Sequence, residues 1–265
     1  MIRRLCGLLA LLAFAASATA QTSQFKYEPS RVPVGTAMHY RKSNLDGTHL
    51  TRVSVYVADL ERLETLKWDD GGVAATLVQA RMDWSRFSVS KLKSWRLQRG
   101  APPELRSALE ASADGSEVKL SFADSERVKV DRWPWHSYDV DFASLGMTLP
   151  HLRDPTVDVI FWRADVVGAG ERKHFAQLGG VRLHFEAADT RNGREVRLYS
   201  IGGAGLRYLY GKLWTDADSG MLVGYEIPVG DESGYRDVRL QLERTELMTP
   251  EQWQLFKKTR VGDKS

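Results

Sequence analysis

"VRLHFEA", residues 181–187, decides the fold class because its side chains alternate between apolar and polar at successive positions. Val181, Leu183 and Phe185 fall on one face of an extended chain, and the polar residues between them fall on the other. The same alternation recurs in "TRVSVYV" (51–57), "EVKLSF" (117–122) and "DVRLQLER" (237–244). Strands with one apolar and one polar face are typical of antiparallel sheets, so the sequence predicts a mainly β protein.

Dipeptides that accept positive φ separate these strand-like runs. They are Asp46-Gly47, Asp114-Gly115 and Asn192-Gly193, each of the kind that closes a tight hairpin. Their spacing predicts about ten or more strands joined mostly in a meander. We therefore expect a curved antiparallel meander, an open half-barrel with a few covering helices.

The first twenty residues predict an export signal. Arg3 and Arg4 precede an apolar run, residues 5–16, which is followed by Ala18-Thr19-Ala20. A basic start, a short apolar core and an A-x-A site together make a cleavable signal peptide. The apolar run is shorter than the roughly 20 residues of a membrane-spanning helix. We therefore expect residues 1–20 to be a signal peptide that is cleaved near Ala20.

The remaining residues, 21–265, are expected to form a single β-rich domain that ends in a C-terminal helix. They hold no stretch long and apolar enough to predict a transmembrane segment. Cys6 is the only cysteine and lies within the signal, so no disulfide framework is expected. Because Cys6 precedes most of the apolar run, we also expect no lipid attachment. An exported chain without a lipid or membrane anchor predicts a periplasmic location.

Charge and motif content narrow the functional classes. The chain has 37 Lys+Arg against 34 Asp+Glu and no basic block, so nucleic acid is not an expected partner. The common hydrolase, zinc-protease and nucleotide-binding motifs are absent, and the six histidines are dispersed, so we expect neither a cofactor nor a metal. His136, with Asp139 and Asp141 nearby, is the one candidate for an acid–base or metal site. A structural aromatic cluster is the alternative interpretation of "WPWHSYD".

"TPEQWQLFKK", residues 249–258, carries the clearest helix signal. Thr249 stands at the N-cap, a proline follows it, and Gln252 occupies the position that a capping box requires. Trp253 and Phe256 lie three residues apart and are expected to dock this helix on the sheet.

Other helix signals are less specific. "PPELRSALEAS" (102–112) and "DFASLGMTL" (141–149) predict a second and a third helix. "DLERLETLKW" (59–68) is compatible with a helix or a strand, because its leucines also fit a helical face.

"DADSG", residues 216–220, raises the choice between a calcium loop and a hairpin turn. Asp216 and Asp218 match the first and third positions of an EF-hand loop, but Gly220 comes one position early and Ile227 stands where the bidentate glutamate belongs. Apolar runs flank the segment on both sides. We therefore predict a turn in which glycine supplies positive φ and aspartate accepts hydrogen bonds from the turn backbone.

"SVSKLKSW", residues 88–95, contains the Ser-x-x-Lys spacing of penicillin-recognising enzymes. That motif opens a helix, whereas this run alternates like a strand, so a serine nucleophile is not expected. Lys91 and Lys93 are instead expected to share a face with Phe87, Val89 and Trp95 and to extend their charged ends from an apolar surface.

Aromatic side chains dominate two stretches that are apolar on both faces, "VDVIFWR" (157–163) and "LRYLYGKLW" (206–214). A strand that is apolar on both faces contacts a second layer on each side, either the protein's own helices or an apolar ligand. The ligand interpretation predicts a binding face with two lysines at its mouth for an acidic head group. Its residues are Trp95, Trp162, Tyr208, Tyr210, Trp214, Lys91 and Lys93.

The hairpin around "LWTDADSGMLVGYE" resembles one found in the LolA- and LolB-like periplasmic lipoprotein carriers and in related exported domains of unknown function. The matching positions are Leu213, Trp214, Asp216, Gly220, Tyr225 and Glu226. The resemblance implies a curved half-barrel whose concave, apolar face is covered by helices, and it implies no catalytic residues.

Three functional hypotheses follow. The first is a periplasmic carrier or binding protein for a lipid or other acyl-bearing hydrophobic ligand. The second is a non-enzymatic envelope scaffold that binds a protein partner. The third is an enzyme with an acid–base site around His136.

Overall fold

The computed structural model describes residues 22–121, 126–138, 141–168, 174–228 and 234–261. The predicted signal peptide, its cleavage site and Cys6 lie outside the described residues. So does Asp139, one of the two carboxylates noted beside His136.

Fifteen strands form one continuous sheet in the described part of the chain. They are β1 (Thr36–Ser43), β2 (Thr51–Val57), β3 (Arg62–Trp68), β4 (Ala74–Asp83), β5 (Ser88–Gln98), β6 (Ala101–Ala111), β7 (Glu117–Ser121), β8 (Glu126–Lys129), β9 (Trp135–His136), β10 (Val159–Val167), β11 (His174–Arg191), β12 (Arg194–Gly202), β13 (Tyr210–Asp216), β14 (Leu222–Ile227) and β15 (Val238–Leu247). Their order in the sheet is β8-β7-β6-β5-β4-β3-β2-β1-β15-β14-β13-β12-β11-β10-β9.

The predicted fold class is confirmed, because the sheet is an open antiparallel meander. Consecutive strands are neighbours, except β8 and β9 at the two ends of the sheet, and they pair antiparallel apart from the short parallel pair β9–β10. The join between β1 and β15, with Thr36 opposite Leu247, connects the two halves of the meander. Gly47, Gly115 and Gly193 all have positive φ at the predicted hairpin turns.

The sheet curves until distant strands meet. β11 lies beside β7 and β8, although these strands are near opposite ends of the sheet order. The segment before β9 bridges the gap, because the Gln177 side chain donates to the Arg132 carbonyl at 3.0 Å and the Ser88 hydroxyl accepts from the Trp135 amide at 2.9 Å. One face of the sheet is therefore enclosed.

Two α-helices cover the two faces of the sheet. α1 (Ala143–Thr148) is entirely buried in the main core, together with Val55, Leu63 and Val78, whose side chains define the inner face. α2 (Pro250–Val261) packs on Tyr56, Leu66 and Leu77, which define the outer face. The predicted helices at 249–258 and 141–149 are thus confirmed.

The capping box of α2 forms as its sequence predicts. The Gln252 side chain accepts from the Thr249 amide at 2.7 Å, and the Thr249 hydroxyl accepts from the Gln252 amide at 3.3 Å. Trp253 and Phe256 are buried against the sheet.

The predicted helix at 102–112 is wrong, since this stretch forms β6. β6 pairs with β5 along its length, whereas β7 pairs only with its last residues, 108–111. Among the described residues, no strand pairs with Pro102 and Pro103 on the side of β7, and a missing amide on an unpaired edge costs no ladder hydrogen bond. The ambiguous stretch at 59–68 contributes β3, and its alternation separates Leu63 on the inner face from Leu66 on the outer face.

Candidate ligand-binding cavity

A cavity of about 300 Å³ lies on the inner face, between strands β3 to β6 on one side and β10 on the other. Its volume falls at the lower end of the range of small-molecule sites, roughly 300 to 1,000 Å³. The lining mixes apolar side chains with hydroxyls and two charged groups. Its residues are Lys67, Thr76, Val78, Leu92, Ser94, Ser107, Leu109, Ser137, Ala164, Asp165 and Val166.

Polarity changes in steps along the strands that form the cavity floor. At the closed end, a cross-strand row of Ala80, Leu92, Leu109 and Leu120 is buried and wholly apolar. The next row joins Val78 to two serines, Ser94 and Ser107. The row after that pairs Thr76 with Arg96, both exposed. The cavity floor therefore runs from the apolar Leu92 and Leu109 to a polar rim that carries Arg96 and its cross-strand neighbour Glu104.

The rim opens into a larger depression of about 660 Å³, which we call the mouth. Lys67, Thr76 and Ser94 line both spaces, so the mouth and the cavity are continuous. The other residues that line the mouth are His49, Leu50, Thr51, Trp68, Asp69, Ala74, Ala75, Arg96, Arg106 and Tyr235.

A buried ion cluster fixes the inner wall beside the cavity. Asp141, which is 2% exposed, contacts the ammonium groups of Lys42 at 2.8 Å and Lys67 at 3.0 Å. Burial opposes ionisation of this carboxyl, but the two lysines outweigh that effect and lower its pKa. The Lys67 ammonium is therefore held by a carboxylate at the boundary between cavity and mouth.

The opposite wall is held by a second buried carboxylate, that of Asp165. It accepts from the Arg163 guanidinium at 2.6 Å, from the Ser137 hydroxyl at 2.7 Å and from the Tyr138 amide at 2.8 Å. These bonds tie β10 to the segment after β9. The buried charges of this wall thus have hydrogen-bond partners on both elements, and hydrogen bonds between charged groups are the strong ones.

This arrangement can hold an amphiphile. Its apolar interior can bury a hydrocarbon chain, while hydroxyl and cationic groups at the rim can bind a polar end. A cavity with an apolar end and convergent polar groups is the usual form of a small-molecule site in an otherwise unassigned protein.

The structure places Lys91, Lys93 and Trp95 on the outer face of β5, opposite to the cavity. Trp95 pairs across the sheet with Leu77 and packs against the cluster beneath α2. Lys91 forms an ion pair with Glu110 at 3.0 Å.

The expected common face of the two lysines with Phe87 and Val89 is wrong. A β-bulge at Ser90 shifts the register between Arg81 and Met82. Because one extra residue reverses the faces, Phe87 and Val89 point into the main core.

The other four predicted contact residues lie on β10, on β13 and in the segment that precedes β13. Trp162 on β10 packs at the edge of the main core, with the Arg132 guanidinium 5.2 Å from its ring centroid. Trp214 on β13 is buried beneath the Arg191 guanidinium, whose central carbon is 3.6 Å from the ring centroid.

Tyr208 and Tyr210 are exposed, at 74% and 72%, and the strand expected to contain both begins only at Tyr210. Residues 204–206 form a short 3-10 turn, and Tyr208 itself has φ of +61°. The structure thus does not bring the seven predicted residues together, and their role as ligand contacts stays a prediction.

His136 is completely buried, and its Nδ1 lies 3.1 Å from the Ser144 hydroxyl. Burial alone lowers its pKa to about 3, so the ring is neutral across the physiological range. Its ring packs edge-on against Phe161, at 5.5 Å between centroids, which agrees with the structural aromatic cluster.

"DADSG" forms the predicted turn between β13 and β14. The Asp216 carboxylate accepts from the Ser219 amide and hydroxyl, both at 2.8 Å, and Gly220 has φ of +73°. Within the described ranges, no group of three or more His, Cys, Asp or Glu residues is placed to hold a metal ion.

Sequence reasoning missed Arg96, Arg106 and Ser107. The signal for Arg96 is present, because alternation along β5 puts it on the face opposite to Trp95. Arg106 and Ser107 could not be assigned to a strand face from the sequence, because the stretch that contains them is rich in helix-forming residues.

No known family model matches this chain, and no curated protein matches it. Among solved structures, it is similar to an outer membrane lipoprotein-sorting protein domain from Vibrio parahaemolyticus, with 9% sequence identity and a TM-score of 0.23. The match covers 94% of this chain and 97% of that domain. A TM-score this low does not establish a shared fold, so the similarity carries no argument about function. Among the described helices, none has the length and apolar character of a membrane span.

Proposed function

We propose that this chain binds, and carries, a lipid or other acyl-bearing hydrophobic ligand in the inner cavity. The observation that carries the proposal is the stepwise change from the apolar row of Leu92 and Leu109 to the exposed Arg96 at the mouth. Each buried methylene contributes about 0.8 kcal/mol, so a chain of about ten methylenes gains roughly 8 kcal/mol before costs. A net free energy of about 8 kcal/mol corresponds to micromolar binding, so association and ordering costs leave the chain alone weaker than that, and contacts of the polar end at the mouth add to the affinity.

The proposed place of action is the periplasm, after removal of residues 1–20. This part of the proposal rests on the basic, apolar and A-x-A segments of the sequence. Intact-mass analysis of the protein exported by its natural host is the test. We expect a mature chain that begins at or near Gln21 without a lipid adduct, and a chain that retains Met1 would contradict export by cleavage.

Isothermal titration calorimetry tests binding in the cavity. The probe is a non-fluorescent monoacyl amphiphile, which is titrated below its micelle concentration. The decisive variant is Ser94→Phe, because Ser94 lines both cavity and mouth and a phenyl ring there blocks the passage. The matched control is Lys93→Phe, which adds the same ring to the outer face of the same strand. We expect Ser94→Phe to abolish binding and Lys93→Phe to retain it.

The variants Trp95→Ala and Trp162→Ala distinguish binding in this cavity from binding by the ligand-contact residues that the sequence predicts. Binding that persists in both alanine variants but is lost in Ser94→Phe supports the inner cavity. Loss in the alanine variants alone would move the ligand from the cavity to the contact residues that the sequence predicts. If the wild-type protein binds no acyl compound, the proposed function is wrong.

A second candidate function, an envelope scaffold, is favoured by one exposed patch. Tyr208, Leu209 and Tyr210 are 74%, 41% and 72% exposed in consecutive positions. Exposed tyrosines and leucines are typical of protein interaction sites. Cross-linking in the native envelope should capture a stoichiometric protein partner that a Tyr208→Ser, Tyr210→Ser variant loses, and the absence of such a partner would count against the scaffold.

A further inference from the structure

We infer that the ligand carries an anionic head group, a carboxylate or phosphate, which Arg96 and Arg106 bind at the mouth. This inference rests on the proposed function, because it assumes that an acyl chain occupies the inner cavity. The inference specifies the chemical class of ligand that the residues of the mouth can bind.

The charge of the mouth favours an anion. Its lining contains three basic side chains, Lys67, Arg96 and Arg106, against one carboxylate, Asp69. Asp69 already accepts a hydrogen bond from the Thr51 hydroxyl at 2.9 Å. A concave surface of one prevailing sign attracts ligands of the opposite sign and orients them as they enter.

The three basic groups differ in their availability. Lys67 contacts the buried Asp141 at 3.0 Å and shares that carboxylate with Lys42, so its ammonium is held in the wall. Arg106 forms an ion pair with Glu104 at 2.9 Å, but its side chain is 48% exposed, and such a pair is weak. Arg96 forms no ion pair with any residue that the structure describes, although Glu104 is its cross-strand neighbour.

Arg96 is also in the right position along the strand. It pairs with Thr76 across the sheet, one row beyond Val78 and Ser94, where the cavity opens. A chain with its methyl end near Leu92 and Leu109 therefore leaves its head group beside Arg96. The Thr76 and Ser94 hydroxyls, which line the same passage, can donate hydrogen bonds to the head group.

Guanidinium groups suit this task because their planar N–H fork matches the oxygens of carboxylate and phosphate. The contact is exposed, so we expect its strength to fall as ionic strength rises. The apolar contribution from the cavity should not fall in the same way.

The test compares four monoacyl probes of equal chain length, each titrated calorimetrically below its micelle concentration. They are a fatty acid, an alkyl phosphate, an alkyl glycoside and an alkyl trimethylammonium salt. For the wild-type protein, we expect at least about tenfold tighter binding of the two anions than of the neutral glycoside, and the weakest binding of the cation. The ratio between the fatty acid and the alkyl phosphate then identifies which oxyanion the mouth prefers.

The decisive variant is Arg96→Gln with Arg106→Gln. We expect it to lose the preference for anions and to bind the glycoside as the wild-type protein does. The matched control is Lys91→Gln with Lys93→Gln, which removes the same charge from the outer face. We expect that control to keep the preference.

The outcomes separate this inference from the proposed function. Equal binding of all four probes by the wild-type protein would overturn the anionic head group and leave the acyl-binding function standing. Loss of the preference in the lysine variant instead of the arginine variant would also overturn it. Failure to bind any of the four probes would remove the proposed function and this inference together.

Discussion

Asp216 and Gly220 show how single residues set the geometry of a turn in this protein. The Asp216 carboxylate accepts from the Asp218 amide at 3.2 Å and from the Ser219 amide at 2.8 Å. Partial burial opposes its ionisation, but the hydrogen bonds from Ser219 and Asp218 outweigh that effect and lower the pKa of Asp216. The aspartate thus stays ionised and closes the turn through these hydrogen bonds.

Gly220→Ala should lower the free energy of unfolding by about 1–3 kcal/mol. Gly220 has φ of +73°, and an added Cβ would lie 3.0 Å from Cα of Pro150. Gly47→Ala is the matched control, because Gly47 has φ of +85° but no atom within 4 Å of the added Cβ. Urea denaturation should show a smaller loss for Gly47→Ala, and equal losses would mean that the contact with Pro150 carries no cost.

The turn was predictable from the sequence because its causes are local. Asp216 and Gly220 lie within five residues, and each acts on the backbone of the same segment. The inner position of Phe87 and Val89 was not predictable, because the bulge at Ser90 reverses the faces without any marker in composition.

At the scale of the element, α2 is attached to the sheet by a buried ion pair as well as by apolar contacts. Glu64 on β3 accepts from the Lys257 ammonium at 2.6 Å and from the Trp253 indole at 2.7 Å. Gln79 donates to its other oxygen at 2.9 Å. Burial opposes ionisation of Glu64, but these three donors outweigh that effect and lower its pKa from 4.5.

Glu64→Gln should destabilise the protein by about 3–5 kcal/mol, because it leaves the buried Lys257 ammonium without a countercharge. The control is Glu61→Gln, which breaks an exposed pair with Arg81 and should cost no more than about 1 kcal/mol. Chemical denaturation of both variants measures the difference. Similar small losses in both would mean that the ion pair does not hold α2.

Acid should remove the contribution of Glu64. Since its pKa is lower in the folded state than the ordinary 4.5, the stabilisation is present above that value and is lost as the pH falls through the folded pKa. The gap in unfolding free energy between wild type and Glu64→Gln should therefore narrow over a pH interval that begins near 4.5 and extends down through the folded pKa of Glu64. A constant gap across that interval would show that the ionisation of Glu64 does not contribute.

β6 is the element whose secondary structure the sequence did not predict correctly. Residues 102–112 contain Glu, Leu, Arg and Ala, which favour helices, and two prolines that suit a helix start. Pairing with β5 overrides that preference, and the alternation of Ser107 and Leu109 becomes visible only once the pairing is known. α2 was predictable because its capping box and its apolar pair act within the helix itself.

At the scale of the whole molecule, periodicity predicted an open meander but not the site it encloses. The cavity combines Leu92 from β5 with Ala164 from β10, and Asp141 joins Lys42 to Lys67 from distant parts of the chain. These contacts between residues that are distant in sequence depend on the curvature and register of the complete sheet. No local pattern in the sequence encodes them.

A ligand in the cavity should stabilise the whole fold. Because a ligand that binds only the folded state adds RT ln(1 + [L]/Kd), a monoacyl carboxylate at about 100 times its Kd should raise the free energy of unfolding by about 2.7 kcal/mol. Thermal denaturation with and without the probe measures the effect. Ser94→Phe, which blocks the passage, should show no increase, and an equal increase in that variant would place the ligand elsewhere.

The join between β1 and β15 also has a consequence for how quickly the chain reaches its final form. Apart from the parallel pair β9–β10, the other neighbouring strands of the described sheet are consecutive in sequence and can form as local hairpins within microseconds. The β1–β15 pair instead requires residues near both ends of the chain, from Thr36 opposite Leu247 to Ser43 opposite Arg239. Forming this pair closes a very long loop, and the loss of chain entropy in that step slows folding. A growing chain can therefore assemble its hairpins early, but the two halves of the sheet join only when β15 arrives.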